Sequence, residues 1–258
     1  MLGHWLRDSG RRADVVVLTK GAHQDADRRR VTPPDISADL LESLDVLGAG
    51  SIEIYMLHRD DPSQPIGPLV EVLNEHRRAG RIGAFGCSNW STTRLDEANE
   101  YARTHGLEAF SCRSPGLSLA QQREPPWPDC VSADDAGSRA WYERTGMPVF
   151  AWSSQAAGFF AGVDGPDVVR VYGSEGNLER LRRATELGER IGHTENEVAL
   201  AWVDVRTIHP SWGDPFVEEW RAFHRHVTEG SRPKTSPADF REDLELCRDL
   251  AGAMAAGR

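Results

Sequence analysis

Short apolar runs and longer amphipathic stripes alternate along most of the chain. Val15-Val16-Val17-Leu18-Thr19-Lys20 is a short run rich in β-branched residues, the pattern of a strand buried in a parallel sheet. After Pro33-Pro34, Ile36, Leu40, Leu41, Leu44 and Leu47 recur at helical spacing. Ser51 to His58 predicts a second strand, and Ile66, Leu69, Val70 and Leu73 a second helix that stops near Gly80. Arg81 to Ser88 predicts a third strand. The helix after it carries Leu95, Ala98 and Ala102 and ends at Gly106.

A weaker strand is expected over residues 109–112 and a clearer one over 148–153. Glu175 to Ile191 reads as a charged amphipathic helix with Leu178, Leu181, Leu187 and Ile191 inward. Thr194-Glu195-Asn196-Glu197 has the capping-box form and opens a further helix. Strands alternating with helices predict βαβ units and a parallel sheet, an α/β fold. Periodicity alone leaves an open doubly wound sheet and a closed barrel equally available. No G-x-G-x-x-G follows a strand, so a Rossmann nucleotide site has no support. From residue 204 the period fades. Two amphipathic helices then follow, one with Phe216, Trp220, Phe223 and Val227, the other with Phe240, Leu244, Cys247 and Leu250.

Charge narrows the function classes. A formal net charge of -10 argues against a nucleic-acid partner, which would need a basic face. No apolar run approaches the roughly 18 residues of a membrane span, and the first residues are too polar for a signal peptide. The four cysteines have neither paired nor metal-ligand spacing, so a cytoplasmic protein without disulfides or metal is expected. Arginine supplies nearly all the positive charge, and the only lysines are Lys20 and Lys234.

That makes Lys20 conspicuous. It ends the first strand, on one face with Val16 and Leu18, and His58 ends the second on the face of Ile52, Ile54 and Met56. In a parallel barrel both would point into the bore at the C-terminal rim, where active sites of that fold lie. A lysine there depresses a neighbour's pKa, and a histidine orients or protonates a carbonyl oxygen. Either residue alone also reads as a surface lysine or a satisfied core histidine.

Four segments carry a more specific signal. Val17 to Gly21, Tyr55 to Pro62, Gly80 to Trp90 and Ala151 to Gln155 resemble, in order and spacing, successive strand-end motifs of the aldo-keto reductases. The resemblance spans about residues 1–203 and implies a partial (β/α)8 TIM-type barrel. It further implies NADP(H) bound across the C-terminal mouth and a small-molecule carbonyl substrate, an aldehyde or ketone. Carried over by position, Lys20 and His58 match the catalytic lysine and histidine. Ser88 and Asn89 match the pair that holds the nicotinamide carboxamide, and Trp152 the aromatic that stacks on the ring. Ser153 and Gln155 lie where the pyrophosphate loop begins. Plainer readings exist: Ser88-Asn89 as a helix cap, Trp152 as core, His58-Arg59-Asp60 as a kinase-like loop, and His58, Asp60 and Asp61 as metal ligands.

The departures count as well. By the same resemblance, the catalytic aspartate and the proton-donating tyrosine belong to two strand-helix units that precede the segment like Leu2 to Arg7. Tyr55, three positions before His58, faces the opposite side of its strand. Catalysis is therefore expected to be impaired, or the chain to be an inactive nucleotide- or protein-binding barrel fragment. The region Ser111 to Gly116 lacks the glutamine that many relatives place against the carboxamide. No eighth strand is expected after Val203. Residues 204–258 are instead expected to be a helical tail of different origin, and about 214–252 resemble the C-terminal end of the glucose-fructose oxidoreductase and inositol dehydrogenase family. An incomplete barrel exposes strand edges, which the tail or pairing of two chains in a homo-oligomer would cover.

Overall fold

Sequence order and spatial order coincide in the sheet. The computed structural model describes residues 2–207. Its strands β1 (Leu18–Gly21), β2 (Ile52–Leu57), β3 (Ile82–Ser88) and β4 (Cys112–Ser114) are parallel and lie side by side in chain order. Helices α1 (Leu2–Ser9), α2 (Pro33–Leu47), α3 (Ile66–Arg78) and α4 (Thr92–Thr104) flank or connect them. Val149 and Trp152 pair in parallel with Arg113 and Gly116, so residues 148–152 run as a fifth, interrupted strand. A doubly wound sheet reverses its strand order at a switch point. This one does not reverse, and the winding is that of a sector of a (β/α)8 barrel.

Alternation along the strands sorts the side chains. Tyr55, Leu57, Phe85 and Cys87 point to the helices and join Ile36, Leu40, Leu69, Leu73 and Leu95 in one core cluster. Lys20, Ile54, Met56 and Ser88 take the opposite face, the bore. The first strand is less buried than its apolar run suggests. Val17 is in the core, whereas Val16 is 53% exposed on the bore side. The ladder also starts late, because the Val17 N–H donates to the Glu53 carboxylate at 2.8 Å rather than to a strand partner.

The helices begin where local chemistry provides caps. Thr32 caps α2, with Pro33 at its first position and left-handed Gly48 at its end. Ser91 caps α4 by accepting the Arg94 N–H at 3.1 Å. The weak strand expected over 109–112 forms instead at 112–114. Asn99 of α4 takes both backbone groups of Phe110, accepting its N–H at 2.9 Å and donating to its carbonyl. Pro115, which has no N–H, interrupts pairing between β4 and the fifth segment.

Four further helices complete the described residues: α5 (Ala136–Thr145), α6 (Pro166–Tyr172), α7 (Glu175–Ile191) and α8 (Glu195–Thr207). A second apolar cluster joins Ala156, Phe160, Val171, Tyr172, Ala184 and Ala199. α7 has the expected bounds but a rotated inner face, for Leu178 is 56% exposed. Fully buried Asn177 sets that rotation. It donates to the carbonyls of Gln121 (2.7 Å) and Tyr172 (2.8 Å) and accepts the Gln121 N–H at 2.9 Å. The capping box forms as read: Thr194 N–H donates to Glu197 at 2.7 Å, and Glu197 N–H donates to Thr194 Oγ1 at 3.2 Å. Among the described residues no helix is long and apolar enough to cross a membrane. The helices expected over 216–227 and 240–250, with the tail resemblance, lie outside the described residues.

Candidate active site

Register builds the site row by row at the C-terminal ends of the strands. Lys20, Met56, Gly86 and Cys112 form one cross-strand row. Two positions further along, Ser88 pairs with Ser114, and His58 follows directly on the end of β2. His58 is clamped from both sides: its N–H donates to the Gly21 carbonyl at 2.7 Å, and its carbonyl accepts from Asn89 Nδ2 at 3.2 Å. Lys20 spans the bore, and its Nζ donates to Ser114 Oγ at 2.9 Å. Thus Lys20 and His58 share one mouth, together with Ser114 from the region where the sequence offers no glutamine.

The electrostatics are uniformly positive. Burial, then the nearby Arg59 guanidinium, pushes the Lys20 pKa down. His58 is lowered to about 4, chiefly by burial and then by the charges of Lys20, His23 and Arg59. Its imidazole is therefore neutral at neutral pH. Among the described residues no carboxylate pairs with Lys20 or with Arg59, a buried residue whose Nη1 donates to Cys130 Sγ at 3.0 Å. Asp60 is taken by Arg94, and among the described residues no group of three or more His, Cys, Asp or Glu is placed to hold a metal.

Ser88 and Asn89 do not cap a helix, since Ser91 does. Ser88 Oγ donates to the Ser114 carbonyl at 2.7 Å, and Asn89 Nδ2 donates to Ser88 Oγ at 3.1 Å. Asn89 Oδ1 accepts the Val131 N–H at 3.2 Å, and its backbone is left-handed at φ 60°. The donors of this pair are spent, but Ser88 Oγ and Asn89 Oδ1 each keep a free lone pair.

Trp152 ends the fifth segment. It belongs to neither apolar cluster and is only half-buried. Its indole lies over Gly116, where a Cβ would stand 3.0 Å from the ring, and its Nε1–H is buried without a protein partner. Trp127, 62% exposed, flanks it at 6.4 Å between ring centroids. Ser153, left-handed at φ 57°, meets the Tyr172 hydroxyl at 3.1 Å, and exposed Gln155 leads into the short 3-10 turn Ala156–Ala161.

Every residue expected from the sequence thus stands at or just after a strand's C-terminal end. Sequence reasoning missed three others at the mouth: His23, Arg59 and Ser114. Adjacency to Lys20 and His58 was the available signal for the first two. The register that brings Ser114 to Lys20 has no local sequence signal.

A family model described as the aldo/keto reductase family matches residues 1–208. The chain belongs to that family. Its members are oxidoreductases built on the (β/α)8 barrel, of which the described sheet is a sector. An uncharacterized oxidoreductase, YrpG of Bacillus subtilis, is 25% identical over 237 residues, covering 86% of this chain and 70% of that protein. Aldo-keto reductase str7 of Strobilurus tenacellus is 29% identical over 214 residues, covering 79% of this chain and 60% of its own length. A putative voltage-gated potassium channel subunit beta of Schizosaccharomyces pombe is 25% identical over 176 residues, 62% of this chain and 48% of that protein. The chain therefore spans only part of the relatives it matches. Nothing in these comparisons supports the resemblance expected for residues 214–252.

Proposed function

We infer that this chain is an NADP(H)-dependent reductase of aldehydes or ketones whose carbonyl-binding mouth is formed by Lys20 and His58. The observation that carries this reading is the convergence of both side chains, from β1 and the end of β2, on one rim of the sheet. The residues there fit a nicotinamide nucleotide. The free lone pairs of Ser88 Oγ and Asn89 Oδ1 suit the two N–H donors of a carboxamide. The half-buried indole of Trp152, with its unpartnered Nε1–H, suits a flat ring and a polar group beside it. Ser153 and Gln155 open the loop toward the phosphates. When bound, the nucleotide supplies the hydride.

The chain's own residues supply the rest. Hydride arriving at a carbonyl carbon leaves negative charge on oxygen. The Lys20 ammonium and a neutral imidazole N–H of His58 face that oxygen, in a mouth where no carboxylate offsets them. Residues 1–203 form the reductase unit in this reading.

A second reading is a nucleotide- or protein-binding barrel without turnover. It is favoured by the tyrosines of the described residues, none of whose hydroxyls bonds Lys20 or His58. Tyr55 points to the Ile36 carbonyl, Tyr101 to Glu71, Tyr142 to Arg113 and Tyr172 to Ser153. Oxidation of NADPH against a panel of small aldehydes separates the two. The reductase reading expects turnover that drops about 10²-fold or more in Lys20→Ala and in His58→Ala. Full activity in either variant, or none in the parent chain, contradicts it.

A further inference from the structure

We propose that His23 is a catalytic proton carrier of this site, presenting Nε2 to the substrate oxygen beside His58. The inference rests on the reductase reading and extends it. His23 lies three residues beyond Lys20, on the loop that leaves β1. Its ring stands 4.6 Å from that of His58, edge to face at 62°.

The chain is bent to put it there. Ala22, fully buried, takes a left-handed conformation at φ 59°, which costs a non-glycine residue about 1–2 kcal/mol. Its N–H is anchored on Asp39 at 2.7 Å, and Arg30 grips the other oxygen of the same carboxylate. Such a conformation persists only where its surroundings fix it, and these positions cluster at functional sites. Here the turn returns the His23 ring over the mouth instead of out along the loop.

The ring is also set for proton transfer. His23 Nδ1 lies 2.8 Å from the Gln24 carbonyl oxygen. That oxygen only accepts, so Nδ1 carries the hydrogen, and Nε2 is the nitrogen that takes up and releases a proton. His58 cannot share this duty, because burial and its cationic neighbours keep it neutral. His23 is exposed, so water can recharge it. The charged and titratable groups at this mouth are Lys20, His58 and Arg59, with Asp25 in the loop of His23 itself. No tyrosine hydroxyl of the described residues stands beside them.

The chemistry balances. As the carbonyl carbon receives hydride from a reduced nicotinamide, its π pair moves to oxygen. A proton leaves protonated His23 Nε2 for that oxygen, giving the alcohol, and water reprotonates the imidazole.

Long-range proton-nitrogen NMR of the protein without cofactor reads the first requirement. The Nδ1–H tautomer is expected for His23, and an Nε2–H tautomer overturns the proposal. Steady-state reduction of 4-nitrobenzaldehyde reads the second. His23→Ala should lower kcat about 10²-fold and leave NADPH affinity unchanged, with added imidazole restoring part of the rate. His23→Gln keeps a hydrogen-bonding side chain but no titrating nitrogen, and should remain as slow as the alanine variant. A kcat for His23→Ala within about threefold of the parent, or full rescue by glutamine, overturns the proposal. Failure of the parent chain to bind NADPH, or binding without turnover, defeats the reductase reading itself, whereas a parent that turns over while His23→Ala stays as fast overturns this proposal alone, and so the two failures are distinguishable.

Discussion

His58 carries the sharpest physical consequence of any single residue here. Its folded-state pKa of about 4 lies below the ordinary 6.5, so on acidification the unfolded chain takes up the proton first. The stability tied to a neutral His58 is present above about pH 6.5 and is lost as pH falls toward 4. The melting temperature should therefore drop between pH 7 and pH 4.5, and His58→Phe should flatten that drop. Parallel curves for the two proteins would show that His58 is not held neutral by the fold. Lys20 and His58 were legible because the two-residue period of a strand decides which face a side chain takes. His23 was not, because its placement depends on a left-handed alanine and a carboxylate seventeen positions along, Asp39. The same pair gives a second test. Asp39→Ala leaves the buried Ala22 N–H without an acceptor and should cost about 1–3 kcal/mol in urea denaturation. A loss under about 0.5 kcal/mol would mean the loop holds its bend without this anchor.

Elements were legible where burial and capping agree with periodicity. α2, α3 and α4 each pair an apolar stripe with a stop or start signal, and β2 and β3 are largely apolar runs interrupted by Glu53 and ended by Ser88. The errors have local causes. β4 is displaced because Asn99 competes for the backbone of Phe110, and the fifth strand is broken because Pro115 cannot donate. α5, short and with one buried residue, Trp141, has almost no apolar stripe to read. The closeness of β3 to β4 also depends on a missing side chain. A Cβ on Gly86 would lie 2.5 Å from both the carbonyl oxygen and the Sγ of Cys112. Gly86→Ala should therefore push β4 outward, destabilise the protein by about 1–3 kcal/mol and disturb the Lys20–Ser114 contact. Unchanged stability would mean that the sheet yields at this point without cost.

At the scale of the molecule, the contrast between overall and local charge matters most. A chain of net charge -10 gathers the cations Lys20 and Arg59 at one mouth with no pairing carboxylate among the described residues. That field favours an anionic nucleotide and the oxyanion of a reduced carbonyl alike. Family and barrel class were readable from four strand-end motifs. The order of strands, which decides between barrel and doubly wound sheet, was not, because hydrophobic pattern carries no information on which strands are neighbours.

Fluorescence titration with NADPH, using Trp152→Ala as the comparison, reads whether this mouth takes a nicotinamide nucleotide. Saturable quenching is expected in the parent chain, with affinity weaker by about fivefold or more in the variant, as loss of a stacking platform worth about 1–3 kcal/mol requires. Absence of binding at millimolar NADPH, in a protein shown to be folded by circular dichroism, would contradict the reductase reading.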